Sequence, residues 1–173
     1  MRKFRGVSNL SLDAKGRIVL PARYREPLSE ICQNQLIITI DTHLPCLLIY
    51  PLNEWELIEE EIEALPSFND STRRIKHLLI GHATDVDVDA NGRMMVATPL
   101  REYAQLSKKV VMIGQGKKFE LWNEAAWNKC RDEWINNKTD VNRLQPWRSY
   151  VCDYSAIRAF TGTSRRSIAA HEY

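Results

Sequence analysis

Several residue types and patterns that catalytic, metal-binding or membrane proteins depend on are scarce in this chain of 173 residues. There are four cysteines, Cys32, Cys46, Cys130 and Cys152, widely separated and without a CxxC pair. A disulfide framework is therefore not expected, and reduced, mostly buried thiols are. Only seven glycines occur. None builds a phosphate-cradling loop or a Gly-x-Ser-x-Gly elbow, and no candidate nucleophile has a His or Cys partner beside it, so neither an enzyme nor a bound cofactor is expected. Long apolar runs are missing too. The longest, Leu36 to Ile40 and Cys46 to Tyr50, are strand-sized, far short of the roughly 20 residues of a membrane helix. The basic N-terminus is not followed by an apolar segment, which argues against a signal peptide and for a cytoplasmic location.

Metal ligands at useful spacing are equally hard to find. Asp85-Val86-Asp87-Val88-Asp89 resembles the opening of a calcium loop. That loop needs Gly at its sixth position and Glu at its twelfth, and Ala90 and Val96 stand there instead. Alternating Asp and Val is the pattern of a strand with one buried face. His43 with Cys46, and His77 with His82, lack the paired spacing of a zinc site. No metal is expected.

What the chain does have is a repeat. Asp13-Ala14-Lys15-Gly16-Arg17 returns as Asp89-Ala90-Asn91-Gly92-Arg93, and Arg25-Glu26 returns as Arg101-Glu102 at the same offset of 76. Further on, Tyr50 and Trp55 recur as Trp122 and Trp127 at an offset of 72, so the second copy has a loop four residues shorter. A duplicated unit usually cannot bury its apolar face alone and packs on its twin. The composition, 44% hydrophobic and 27% charged, is that of an ordinary globule of one domain or two small ones.

Each copy reads as β-hairpin, short helix, β-hairpin, helix, an α+β pattern. In the first copy a strand from Val7 to Leu12 leads into the Asp13–Gly16 turn and a returning strand from Arg17 to Leu20. A short helix from Pro21 to about Ser29 follows. The strands Leu36–Ile40 and Cys46–Tyr50 flank a second turn, and a helix capped by Asn53 carries Trp55, Ile58, Ile62 and Leu65 on one stripe, ended by Pro66-Ser67. The second copy repeats the order, with strands at Thr84–Val88, Arg93–Ala97, Val110–Ile113 and Phe119–Trp122, a helix start at Thr98-Pro99, and a helix from Asn123 to about Ile135. This gives half-units at 4–65 and 84–135. Between them, 66–83 forms a linker with a helix starting at Asp70 or Ser71 and closing at Gly81. The tail, 136–173, has no counterpart in the repeat. It is basic and weakly periodic, an appendage that is partly flexible.

The net charge of +2 is unevenly spread. Residues 1–25 hold Arg2, Lys3, Arg5, Lys15, Arg17, Arg23 and Arg25 against Asp13 alone, while residues 54–63 hold six glutamates and no base. The basic end suits an anionic partner. Asp-x-x-Gly-Arg by itself is only a turn signature, with Asp13 and Asp89 accepting backbone N–H groups and Gly16 and Gly92 tolerating positive φ. Two copies say more. Both place an arginine, Arg17 or Arg93, directly after the glycine, and another, Arg25 or Arg101, eight positions on. A guanidinium offers a planar donor fork that suits phosphates and guanine edges. Double-stranded DNA is thus the expected partner. Arg17 and Lys15 are the expected readers of base edges, and Arg5, Arg23 and Arg25 the expected phosphate contacts. Arg93 and Arg101 supply the second, less basic copy. Tyr50, Trp55, Trp122 and Trp127 are read as core between the halves rather than as a platform for stacking bases.

At these residues the chain resembles the MraZ family of bacterial transcriptional regulators, within the AbrB-like swapped-hairpin superfamily. The matching motifs are Phe4-Arg5-Gly6, Asp13-x-Lys15-Gly16-Arg17, Pro21-Ala22-Arg23-Tyr24-Arg25, Pro45-Cys46-Leu47-Leu48-Ile49-Tyr50-Pro51, Gly81-His82-Ala83, Asp89-x-x-Gly92-Arg93 and Phe119-Glu120-Leu121-Trp122. They span residues 4–135. The resemblance implies two AbrB-like half-units interlocked as a pseudo-dimer within one chain, and several chains assembled into a ring. It implies binding to short direct repeats upstream of the division and cell-wall gene cluster, control of the chain's own operon, and association with the nucleoid. The family's Asp-x-x-x-Arg motif falls on Asp13/Arg17 and Asp89/Arg93. The chain departs from the pattern at its first residues and in its tail. A different class of function, a protein-interaction module like the antitoxins that share this fold, is the second reading. Antitoxins are usually a single small unit with a long toxin-wrapping tail, whereas here the unit is duplicated.

Overall fold

The computed structural model describes residues 3–66 and 68–136. The expected tail, beyond Asn136, lies outside the described residues, as does Ser67. In chain order the elements are β1 (Phe4–Ser11), β2 (Arg17–Val19), α1 (Ala22–Cys32), β3 (Gln35–Ile40), β4 (Cys46–Pro51), α2 (Leu52–Glu63), α3 (Asp70–Ile75), a π-helical turn (Lys76–Ile80), β5 (Thr84–Asp87), β6 (Arg93–Met95), α4 (Thr98–Tyr103), β7 (Lys109–Gly116), β8 (Phe119–Asn123) and α5 (Glu124–Asn136). The described residues as far as Glu133 belong to one compact unit.

The two repeats are interlocked rather than adjacent. Six strands form a sheet in the order β1-β7-β8-β4-β3-β5, and a separate two-stranded ribbon pairs β2 with β6. The order is palindromic with respect to the repeat. The first strand of each copy pairs antiparallel with the third strand of the other: β1 with β7 over eight residue pairs, Phe4 opposite Gly116 to Ser11 opposite Lys109, and β5 with β3. The fourth strands, β4 and β8, meet at the centre, and the second strands meet in the ribbon. Only the β3–β4 and β7–β8 hairpins close within one copy. The turn at Asp13–Gly16 is closed as expected, by Gly16 N–H donating to the Asp13 carbonyl at 3.0 Å. Its two strands then diverge, so the local return of strand on strand that the sequence suggests is exchanged between the copies. An exchanged strand has no partner of its own to fall back on, which makes the two halves one folding unit.

Both faces of the four central strands, β7, β8, β4 and β3, are covered. Leu47, Ile49, Val110, Met112, Phe119 and Leu121 point to the side that holds Ile18, Leu20, Met94 and Val96 of the ribbon segments. On the other side Cys46, Val111, Ile113 and Trp122 pack against Ala126, Trp127 and Cys130 of α5. A strand buried on both faces reads as an apolar run rather than an alternation, which is why Leu36–Ile40 and Cys46–Tyr50 look as they do. The repeat-equivalent pairs Tyr50–Trp55 and Trp122–Trp127 have ring centroids 5.8 and 5.7 Å apart. Trp122 is fully buried and Trp55 nearly so. These rings serve packing, not base stacking.

Several boundaries differ from the sequence expectation for identifiable reasons. Helix α1 runs to Cys32 in spite of Pro27, because Tyr24, Leu28 and Cys32 bury on one stripe and repay the lost backbone bond. It ends in left-handed residues at Gln33 and Asn34. Asn53 does not cap α2. Pro51 holds the N-cap position, with no side-chain bond, and Asn53 lies inside the helix. The equivalent of Pro51 in the second copy is Asn123, whose Oδ1 accepts from Ala125 N–H at 2.9 Å and does cap α5. The linker helix α3 starts at Asp70, as expected, and is capped by Asn69, whose Oδ1 accepts from Ser71 N–H at 2.9 Å. Thr39 Oγ1 donates to the Leu79 carbonyl at 2.7 Å and ties the linker to β3. Among the described residues no helix is long and apolar enough to cross a membrane.

Candidate nucleic-acid interface

The ribbon of β2 and β6 is where the two repeated motifs come together. Its register places Arg17 opposite Met95, Ile18 opposite Met94 and Val19 opposite Arg93. Strand alternation does the rest. Ile18 and Met94 point inward and are buried, while Val19 and Met95 are about half exposed at 47% and 49%. The outer face therefore carries two arginines and two apolar side chains, arranged diagonally. Leu20 N–H donates to the Gly92 carbonyl at 2.7 Å and Val96 N–H to the Gly16 carbonyl at 2.8 Å. Each turn thus stands at one end of the ribbon, the two glycines separated by roughly 13 Å at an ordinary strand rise.

The two turns are built alike. Asp13 Oδ1 accepts from the backbone N–H of Lys15 and of Arg17, both at 2.9 Å, and Asp13 Oδ2 accepts from Arg17 Nε at 2.8 Å. Asp89 does the same with Asn91 at 2.9 Å, Arg93 N–H at 2.8 Å and Arg93 Nε at 2.8 Å. The backbone N–H of the arginine, then the rest of this bonding, holds both carboxyls below the usual carboxylate range. Gly16 and Gly92 adopt φ of +81° and +75°, the left-handed region that closes so tight a turn. The arginines do not project freely. Each is anchored at Nε to its own turn aspartate, with 34% (Arg17) and 41% (Arg93) of the side chain exposed.

The remaining expected site residues fall into two groups. Lys15 is exposed at the tip of the first turn. Arg5 is exposed on β1, opposite Gln115. Arg23 lies across the same strand: its Nη2 donates to Ser8 Oγ at 2.7 Å, and its Cζ sits 4.7 Å from the Tyr24 ring centroid. Tyr24 is fixed in turn by its hydroxyl, which donates to the Arg5 carbonyl at 2.6 Å, and by contacts with Phe4 and Phe119. Arg25 and Arg101 are different. Both are half-buried and sit against the turns, each against the turn of the other copy.

Two features escaped the sequence reading. Val19 and Met95 belong to the outer face of the ribbon, and the alternation Arg17-Ile18-Val19 was the available signal. The second is a buried trio, Asp41, Cys46 and Glu120, whose ligand-type atoms lie within 4.8 Å of one another. One oxygen of each carboxylate already accepts hydrogen bonds. Asp41 Oδ1 accepts from His43 and Leu44 N–H, and Glu120 Oε2 accepts from Trp122 Nε1 at 2.9 Å. Burial pushes the Glu120 carboxyl above its usual range. Asp41 thereby shapes the β3–β4 turn, and Glu120 meets the indole two residues on in β8. A glutamate inside the otherwise apolar run Phe119–Trp122 was the signal for it.

Comparison with known proteins agrees with the duplication. The sequence profile of the family described as "MraZ protein, putative antitoxin-like" matches the chain twice, over residues 3–78 and 79–145. The curated "Transcriptional regulator MraZ" of Legionella pneumophila (strain Philadelphia 1) is 52% identical over 138 residues, covering 80% of this chain and 91% of the relative. Its namesake in Thioalkalivibrio sulfidiphilus is 50% identical over 138 residues, with the same coverage. That of Coxiella burnetii (strain RSA 331) is 51% identical over 132 residues, 76% of this chain and 87% of the relative. Two matches in tandem across most of the chain, on the same repeats that the strands exchange between, leave one conclusion: the chain belongs to the MraZ family.

Proposed function

We propose that this chain is a sequence-specific, double-stranded DNA-binding transcriptional regulator without enzymatic activity, and that the outer face of the β2–β6 ribbon enters the major groove. The observation that carries the reading is the pairing of two identically built arginine turns on one ribbon. A two-stranded ribbon fits the major groove, whose width of roughly 12 Å is close to the separation of the turns. Nε of Arg17 and Arg93 is held by aspartate, so the terminal amino groups of each fork are aimed by the turn and are suited to guanine O6 and N7. Val19 and Met95, beside them, are suited to thymine methyl groups. Lys15, Arg5 and Arg23 lie at the edges, where phosphates run, and suit positioning rather than reading.

The names of the relatives support a regulator, and the family resemblance points further. The targets are short direct repeats upstream of the division and cell-wall gene cluster, the chain's own operon is among them, and several subunits in a ring bind successive repeats from the cytoplasm, on the nucleoid. Multivalent contact of that kind multiplies modest single-site affinities. The word "antitoxin-like" in the family description keeps a protein partner as the second reading. The test is a gel shift of the purified chain with DNA from upstream of its own gene and with a scrambled duplex, across a salt series. Tight binding to the first alone at moderate salt supports the reading. Equal binding to both, or none, overturns it.

A further inference from the structure

Arg25 and Arg101 stand where the sequence suggests phosphate contacts, yet each is packed under a turn of the opposite repeat. A Cβ placed on Gly16 would lie 2.8 Å from Cζ and 2.9 Å from Nε of Arg101. One placed on Gly92 would lie 2.6 Å from Cζ of Arg25 and would overlap its Nε. Both glycines are buried and left-handed. So the guanidinium lies directly on the bare Cα of the glycine, a fit that no side chain at 16 or 92 permits. The arginine is fixed from its own copy. Arg25 Nε donates to the Leu20 carbonyl at 3.0 Å, and Leu20 N–H reaches the Gly92 carbonyl. Arg101 Nη2 donates to Thr98 Oγ1 at 2.7 Å, and Val96 N–H reaches the Gly16 carbonyl. The second brace is the less complete, because Arg101 Nε is buried without a hydrogen-bond partner among the described residues.

We propose that Arg25 and Arg101 are positioning residues that act across the repeat: Arg101 holds the first turn, with Arg17, and Arg25 holds the second, with Arg93. This rests on the DNA-binding reading for its consequence, though not for its geometry. Each repeat then supplies one reading arginine and the support of the other repeat's reading arginine. A half-unit has a turn but no brace for it, which gives a physical reason for the eight-residue spacing to be duplicated along with the turn.

Amide hydrogen exchange tests the geometry without DNA. Arg101→Ala should speed exchange of the Gly16 and Arg17 amides roughly tenfold, about 1.4 kcal/mol of local protection, and leave Gly92 and Arg93 unchanged. Arg25→Ala should do the reverse. Acceleration of the nearer turn in sequence, or of neither, overturns the proposal. A double-mutant cycle on operator affinity tests the consequence. Arg101→Ala should weaken binding in the wild type and in Arg93→Ala, but add little to Arg17→Ala, because both act through the first turn. The salt slope should stay unchanged, and Arg101→Lys should not rescue, since an ammonium keeps the charge but not the flat stack. A slope lowered by about 0.9, or rescue by lysine, would restore the phosphate role. Where Arg101→Ala fails to fold, Thr98→Val removes the bond that seats the guanidinium, and the same Gly16 readout applies. If the wild type binds no DNA, the proposed function fails while the exchange result still decides the brace.

Discussion

Ile18 and Met94 face each other at the middle of the β2–β6 ribbon, the one residue pair there that is wholly buried. They are repeat equivalents, so the centre of the ribbon is also the centre of the pseudo-symmetry, and the outward arginines are carried by a strand pair whose inner face is core. Ile18→Ala should cost about 2–5 kcal/mol in a denaturant titration. With Met94→Ala it should be non-additive, since the two share one packing site. Additive losses would mean that the ribbon is seated on the sheet by other contacts.

The exchange of strands makes a prediction about the isolated repeat. A fragment covering only the first half-unit retains β1 and β3 but lacks β7 and β5, their partners. It should fold only as a dimer of two such fragments, with mass by light scattering falling to the monomer and strand signal lost together on dilution. A folded monomer at low concentration would show that the copies do not depend on one another.

Acidity acts on this fold with opposite signs at two places. Glu120 has a raised folded-state pKa, so its contribution is full below the ordinary glutamate range and is lost as pH rises through the folded value. Asp13 and Asp89 have lowered values, so theirs is present above the ordinary aspartate range and is lost as pH falls through the folded ones. Glu120→Gln, which keeps an acceptor for Trp122 Nε1, should therefore be more stable than the parent at pH 8 and no more stable at pH 4. Equal shifts at both pH values would remove Glu120 from this account.

The apolar half of the ribbon face makes a prediction with a chemical readout. Val19 and Met95 sit beside Arg17 and Arg93 and have no charge with which to hold a phosphate. Replacing thymine by uracil throughout the operator removes only the 5-methyl groups, and should weaken the wild type severalfold. Val19→Ala combined with Met95→Ala should bind both duplexes alike. A variant still sensitive to the methyl groups would place that contact elsewhere.

How much of this was legible in the sequence depends on the range of the interaction concerned. The Asp13 and Asp89 turns were readable because the aspartate bonds that shape them are local, to amides two and four residues on. The central strands were readable because burial on both faces leaves apolar runs. Arg25 and Arg101 were not. Their spacing says which strand they follow but nothing of the glycine beneath them, 67 residues away for Arg25 and 85 for Arg101, which only the exchange brings near. The end of α1 was placed about three residues early, at Ser29, because nothing local marks Cys32 as buried with Tyr24 and Leu28 in the core. Asn53 looked like a cap because its type suits one, while Pro51 already occupied the place.

The central claim is that the two arginine turns of one ribbon read DNA together. It is tested most directly by fluorescence anisotropy of Arg17→Ala, Arg93→Ala and the double variant on operator and scrambled duplexes, with folding confirmed by circular dichroism. A lost bidentate base contact costs roughly 1–3 kcal/mol. Each single variant should therefore bind the operator several-fold to over a hundred-fold more weakly. The double variant should bring the operator-to-scrambled ratio close to one while keeping most of the affinity for scrambled DNA. A ratio unchanged in the double variant, or affinity for both duplexes lost in parallel, would contradict the claim.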